Sequence, residues 1–254
     1  MSVDYHIVIP ARLAAERLPG KPLLSVAGRP LIEHVHRRAM ESRAASVVIA
    51  TDAEEIRVAA EGFGARAVMT DPDHQSGSDR IAECADRLGW DDDTLVVNLQ
   101  GDEPLMPPGC LDQAAGLLAA DSRAQVASLY WPIDNAEEAE DPNAVKVVVA
   151  EDGAALYFSR SLIPHPRGAG GLAEALASGC RWRRHIGLYA YRAGALRAFA
   201  AMRPAALEKI EKLEQLRFLE NGYRIAMAQA RSFIPAGVDT PEDLERLRES
   251  LGGA

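Results

Sequence analysis

The first half of the chain alternates short apolar runs with helix-length amphipathic stretches, and few folds accommodate that order. Strand-like runs fall at Tyr5–Ile9, Ser46–Ala50, Arg66–Met69, Thr94–Leu99 and Val126–Trp131. Helical patterns near Leu31–Ser42, Glu54–Gly62, Asp79–Leu88 and Cys110–Ala119 fill the gaps. Short connections and regular alternation predict an α/β fold, a mainly parallel sheet flanked by helices, with the site on loops at the strand carboxyl ends.

After Asp134 the pattern changes. "VKVVVA" and "ALYFS" read as strands divided by the turn "EDG", Pro164–Gly171 as an irregular loop, and "HIGLYAYRAGAL" as a strand running into a helix. Glu208–Asn221 reads as one helix stopped at Gly222, and Ile225–Gln229 as a strand. Thr240 can cap a last helix whose first turn holds Pro241, Glu242 and Asp243. No repeat or flexible linker stands out. The expectation is one domain over residues 1–254, with an antiparallel insertion at roughly 134–200.

Composition narrows the function classes. With 48% apolar residues in 254, the chain has ample material for a core. A net charge of -9 argues against an extended nucleic-acid surface, yet leaves room for a local cationic pocket. No apolar run approaches the roughly 20 residues of a membrane span, and the N-terminus lacks a signal-peptide pattern, so a cytoplasmic location is expected. Cys84, Cys110 and Cys180 show no CxxC-type spacing and read as ordinary thiols. His34 and His36 fall on different faces of the expected helix, which argues against shared metal ligation.

Four segments carry candidate chemistry. In "IPARLAAERLPGKPL", prolines and a glycine constrain a loop just beyond the first strand, and its cations Arg12, Arg17 and Lys21 suit an anion. Arg12 and Lys21 can approach one polyphosphate from different sides, although a solvated loop is the alternative. Neither GxxxxGK[ST] nor a GxGxxG after the first strand is present, which removes support from P-loop and Rossmann dehydrogenase readings. In "DHQSGSDRIAE", Ser78 can cap a helix starting at Asp79, Gly77 lets backbone N–H groups approach a ligand, and Gln75 and Ser76 add neutral hydrogen-bonding groups. A plain capping turn is the other reading of that segment.

The third segment, "VVNLQGDEPLM", is an apolar strand ending in Gln100, Gly101, Asp102 and Glu103. Carboxylates at such an edge suit Mg²⁺, which takes a few hard oxygens plus substrate phosphates. Asp239 in "AGVDTPEDLE" can complete that site if the fold brings it near; alone it reads as part of a helix start. The fourth group is Arg160, His185, Tyr189, Glu214 and Gln215. Arg160 can grip a carboxylate and the others can bond sugar hydroxyls, but spacing alone favours packing and solvated-face roles for all five.

Taken in order, "IPARLAAERLPGKPL", "GRPLIEHV", "TDPDHQSGSDR", "VNLQGDEP", "DPNAVKVV", "YFSRSLIP", "HIGLYAYR", "LEQLR" and "GVDTPEDLE" resemble the 3-deoxy-manno-octulosonate (Kdo) cytidylyltransferases over nearly the whole chain. The resemblance implies a nucleotidyltransferase-type, Rossmann-like fold whose insertion serves a homodimer. It also implies Mg²⁺, with CTP and Kdo as substrates, and activated Kdo as a product for lipopolysaccharide. Carried over by position, Arg12 and Lys21 hold the CTP phosphates, with Gln75, Ser76 and Gly77 in the nucleotide pocket. Asp102 and Asp239 hold magnesium, Arg12, Lys21 and Asp102 act in catalysis, and Gln100, Arg160, His185, Tyr189, Glu214 and Gln215 surround the sugar acid. Ser78 and Lys209 depart from the family's common residues and receive no role. An 8-amino-Kdo or other sugar-acid cytidylyltransferase, or a silent nucleotide-binding protein on the same scaffold, are the alternatives.

Overall fold

The computed structural model describes residues 3–14, 18–74 and 76–252. Arg17 and Gln75 lie outside the described residues. The strands are β1 (His6–Ala11), β2 (Ser25–Val26), β3 (Arg29–Pro30), β4 (Ser46–Thr51), β5 (Arg66–Met69), β6 (Leu95–Asn98), β7 (Val126–Ile133), β8 (Lys146–Val149), β9 (Ala155–Ser159), β10 (Trp182–Arg192) and β11 (Ile225–Gln229). The helices are α1 (Leu31–Met40), α2 (Glu54–Gly62), α3 (Gly77–Arg87), α4 (Pro108–Ala120), α5 (Ala136–Glu140), α6 (Leu172–Ala177), α7 (Ala193–Ala201), α8 (Ala206–Glu211), α9 (Gln215–Glu220) and α10 (Pro241–Gly252).

The main sheet runs β11-β7-β10-β6-β1-β4-β5, with β8 on β10 and β9 on β8. β6, β1, β4 and β5 pair in parallel, as do β7 and β11. β10 is antiparallel to both β6 and β7, and β8 and β9 form the antiparallel hairpin expected around "EDG". Each central strand is buried on both faces. Ile7 and Ile9 of β1 pack with Ile32 and Val35 of α1 and Leu111 of α4, whereas Val8 packs with Ile81 of α3 and Leu196 of α7. That two-sided burial explains why these strands read as unbroken apolar runs.

Two helix boundaries differ from expectation. The N-cap of α3 is Ser76, not Ser78: Ser76 is extended, its Oγ accepts the Asp79 N–H at 3.1 Å, and Asp79 Oδ2 accepts the Ser76 N–H at 3.2 Å. Ser78 is instead buried and donates to Glu214 Oε2 at 3.1 Å. The helix expected over Glu208–Asn221 is broken in two, because Lys212 adopts a left-handed conformation at φ 55° and closes α8 through its N–H to Glu208 O at 2.7 Å. The Glu208–Arg217 ion pair, buried at both ends, then holds α9 against α8. At the last helix the expected cap is present, with Thr240 Oγ1 accepting the Asp243 N–H at 3.2 Å.

Candidate active site

β1 and β6 pair in parallel, so the loops at their carboxyl ends emerge side by side and open onto a cleft of about 800 Å³. The loop after β1 brings Arg12, and a single 3₁₀ turn at Lys21–Leu23 brings Lys21. The loop after β6 brings Gln100, Gly101 and Asp102, and the start of α3 brings Ser76 and Gly77. Glu214 and Asp239 reach the cleft from the turns before α9 and α10. Glycine is required at 101, where a Cβ would stand 2.9 Å from the Pro10 carbonyl oxygen. The segment before Asp239 is tied to the same loop by the Val238 N–H, which donates to Asp102 O at 2.8 Å.

Lys21 is the centre of the cleft's charge. Its Nζ donates to Asp102 Oδ2 at 2.6 Å, to Val238 O at 3.0 Å and to Asp239 Oδ1 at 3.1 Å. Burial alone would lower the ammonium's pKa, but the two carboxylates outweigh it and hold the value above its usual range. Arg12 is exposed and makes no hydrogen bond or ion pair with a described residue. Glu214 accepts from Ser78, and desolvation in the cleft raises its carboxyl, against the pull of Ser78 and Arg217.

The structure therefore brings Arg12, Lys21, Ser76, Gly77, Gln100, Asp102, Glu214 and Asp239 to one cleft. Arg160, His185, Tyr189 and Gln215 do not line it. The Arg160 Nε–H donates to Glu211 O at 2.8 Å and Nη1 to Pro142 O at 3.1 Å. His185 and Tyr189 flank an irregularity in β10 where Ser128 Oγ lies 3.0 Å from the Ile186 carbonyl, 2.9 Å from the Leu188 carbonyl and 3.0 Å from His185 Nε2. Their ring centroids are 5.3 Å apart, and desolvation lowers the His185 pKa to about 3, so this imidazole is neutral near pH 7. Gln215 is buried in the first turn of α9.

Two residues that line the cleft, Arg80 and His74, were not singled out by sequence reasoning. Arg80 lines the cleft although it is buried, with Nη2 on Asp52 Oδ2 at 2.7 Å and Nη1 on Thr70 Oγ1. His74 also lines it, 2.6 Å from Glu83 Oε2. Glu103 follows Asp102, and burial, reinforced by Asp102 and Asp239, pushes its carboxyl up to about 8. The "SGSDR" segment carried the signal for Arg80 as a cation one turn into a helix beside the site, but its partners are remote in sequence.

A model of the cytidylyltransferase family matches residues 6–225. The chain is 53% identical over 98% of its length to a 3-deoxy-manno-octulosonate cytidylyltransferase of Thioalkalivibrio sulfidiphilus, covering 99% of that protein. It is 51% identical over 99% of its length to the protein of the same name from Pseudomonas fluorescens, again covering 99% of it. Among solved structures, a CMP:2-keto-3-deoxy-manno-octonic acid synthetase complexed with CTP superposes with a TM-score of 0.89 at 40% identity, with 99% of each chain covered. A cytidylyltransferase from Leptospira borgpetersenii, 15% identical with a TM-score of 0.62 over 100% of this chain and 88% of that one, shares the fold. This chain belongs to the 3-deoxy-manno-octulosonate cytidylyltransferase family and is a nucleotidyltransferase.

Proposed function

We propose that the cleft joins CTP and Kdo to give CMP-Kdo and pyrophosphate, with Arg12, Lys21, Asp102 and Asp239 gathered around the triphosphate. The anomeric 2-hydroxyl oxygen of Kdo forms a bond to the α-phosphorus and passes its proton to water. The bond from that phosphorus to the bridging oxygen of the β-phosphate breaks, and pyrophosphate leaves. Two anionic substrates have to meet, so cationic positioning is the main task of the protein. Arg12, exposed in the cleft, and Lys21, held by its two carboxylates, supply that charge. The N-terminus of α3 adds the Gly77 backbone N–H as a donor, with Ser76 and Gln75 beside it in the chain.

Mg²⁺ belongs to this reading. Among the described residues no cluster of three or more His, Cys, Asp or Glu side chains stands ready for a metal. Asp102 and Asp239 nevertheless converge on one cationic point, the Lys21 ammonium. Two hard carboxylates completed by phosphate oxygens are the donor set this ion favours. Bound there, it would neutralise charge on the triphosphate and lower the pKa of a neighbouring hydroxyl. Gln100 and Glu214 in the cleft, with Arg160, His185, Tyr189 and Gln215 beyond it, are the sugar-acid contacts of this reading.

A cytoplasmic site of action is supported by three free cysteines, and no described helix is long and apolar enough to cross a membrane. A homodimer built on the antiparallel insertion is supported by Leu156 of β9, an exposed apolar side chain on that hairpin. The product's destination is lipopolysaccharide synthesis. The observation that carries the proposal is the Lys21 ammonium between two carboxylates inside a cleft that also holds Arg12 and the start of α3. Pyrophosphate release with Mg²⁺ tests it across four nucleoside triphosphates and the acids Kdo, 8-amino-Kdo and sialic acid. Release confined to CTP with Kdo supports the proposal; equal release with sialic acid, or none with Kdo, contradicts it.

A further inference from the structure

Glu211, the last residue of α8, has no part in the reaction as described, yet it receives more hydrogen bonds from the end of β9 than any capping role needs. We propose that Glu211 is the positioning residue that presents Arg160 to the sugar-acid carboxylate, a proposal that rests on reading Arg160 as a sugar-acid contact. Its Oε1 accepts from Ser159 Oγ at 2.6 Å, and its Oε2 accepts the Arg160 backbone N–H at 3.0 Å. Its main-chain carbonyl accepts the Arg160 Nε–H at 2.8 Å. One residue thus fixes both the backbone and the guanidinium of Arg160.

A second carbonyl, from Pro142, tethers the guanidinium as well. Nη1 donates to Pro142 O at 3.1 Å, and the neighbouring Asp141 carbonyl is held by Lys146 Nζ at 2.8 Å. With Nε and Nη1 on protein carbonyls, Nη2 keeps its donors unused by any described residue and open to a carboxylate. Arg160 is half-buried, so an untethered side chain would lose several rotamers on binding; the tether removes that cost in advance.

Glu211 also supplies negative charge. Lys146 is fully buried; desolvation lowers its pKa, Asp141 and Glu211 push it up, and Arg160 pushes it down. The Glu211 carboxylate thus opposes the effect of the Arg160 guanidinium on the buried Lys146 ammonium. Directly after Glu211 the chain turns through Lys212 and delivers Glu214 to the cleft. The end of α8 therefore sets two groups that face the sugar acid from separate elements, which local spacing alone did not reveal.

The test is steady-state kinetics of the full chain with Mg²⁺, varying Kdo at saturating CTP and CTP at saturating Kdo. Glu211→Gln removes the charge and leaves one side-chain oxygen where Ser159 Oγ and the Arg160 backbone N–H each have their own. It should raise KM for Kdo about tenfold or more while leaving KM for CTP within about twofold. Ser159→Ala, which keeps the carboxylate but deletes its hydroxyl donor and the acceptor for the Ser161 N–H, should raise KM for Kdo about threefold. It decides the matter if Glu211→Gln fails to fold. Because Glu211 acts through Arg160, the double variant Glu211→Gln/Arg160→Ala should be no worse for Kdo than Arg160→Ala alone.

The proposal is overturned if Glu211→Gln, folded by thermal melting, keeps the parental KM for Kdo while Arg160→Ala raises it. It is also overturned if the two effects multiply in the double variant. If Ser159→Ala alone is measurable and leaves KM for Kdo unchanged, the proposal falls as well. A different result, Arg160→Ala leaving KM for Kdo unchanged, removes the underlying reading of Arg160 and takes the proposal with it.

Discussion

Lys21 donates to Asp102 at 2.6 Å across the mouth of two adjacent parallel strands, joining a residue of the first loop to one of the loop after β6. The pair is only partly exposed, with 14% of the lysine side chain and 28% of the aspartate accessible, so solvent does not dissolve it. The same ammonium reaches Asp239 at 3.1 Å, which makes Lys21 the link between three separate segments.

Lys21→Ala and Asp102→Asn should each lower kcat by about 10² or more, the scale of losing one charge-stabilising group in the transition state. Circular dichroism and melting should remain near the parent, because neither side chain belongs to the apolar core. Stopped-time pyrophosphate assays check this, and near-parental turnover in either variant counts against the roles assigned.

Gly101→Ala should damage the site through the backbone. The added Cβ would stand 2.9 Å from the Pro10 carbonyl oxygen, a contact no flexible side chain can relieve, so the loops after β1 and β6 must separate. The expected cost is about 1–3 kcal/mol in denaturant unfolding, accompanied by loss of activity as Asp102 moves from Lys21. Gly109→Ala is the control, since nothing lies within 4 Å of a Cβ at that position. Equal stability of the two variants contradicts the argument.

Acid should weaken the fold through histidines kept neutral inside it. Desolvation lowers His185 from 6.5 to about 3, and burial is also the main cause of the lowered values at His6 and His36. Between these limits the unfolded chain binds protons that the folded chain refuses. The histidine contribution to stability is therefore whole above about 6.5 and falls as the pH drops toward about 3. Urea midpoints measured from pH 7 to pH 5 should decline, and His185→Gln should make the decline shallower. An unchanged slope in that variant would show that His185 is not the buried neutral group described.

Much of the fold was readable from residues whose burial has one local cause. Ile7, Val8 and Ile9 are covered from both sides, so β1 is apolar at every step and stands out without any alignment. The wedge of β10 between β6 and β7 was not readable, because pairing of Tyr189 with Asn98 and Ser128 depends on partners far along the chain. Lys212 was missed for another reason: a left-handed lysine costs about 1–2 kcal/mol, and no glycine or asparagine marks the break. At the site, Lys21 was legible as a cation on a proline- and glycine-constrained loop and Asp102 as an acid ending an apolar strand, whereas Asp239 alone read as a helix start and gained meaning only beside them. Arg80 and Glu211 were not legible, since their meaning lies in Asp52, Thr70, Ser159 and Arg160, contacts that only folding creates.

The most direct test of the account is a crystal structure of the enzyme with CTP and Mg²⁺. The account predicts triphosphate oxygens on Arg12, Lys21 and the first turn of α3, with the metal between those oxygens and the carboxylates of Asp102 and Asp239. A triphosphate bound elsewhere, with Lys21 still locked to both carboxylates, would contradict it.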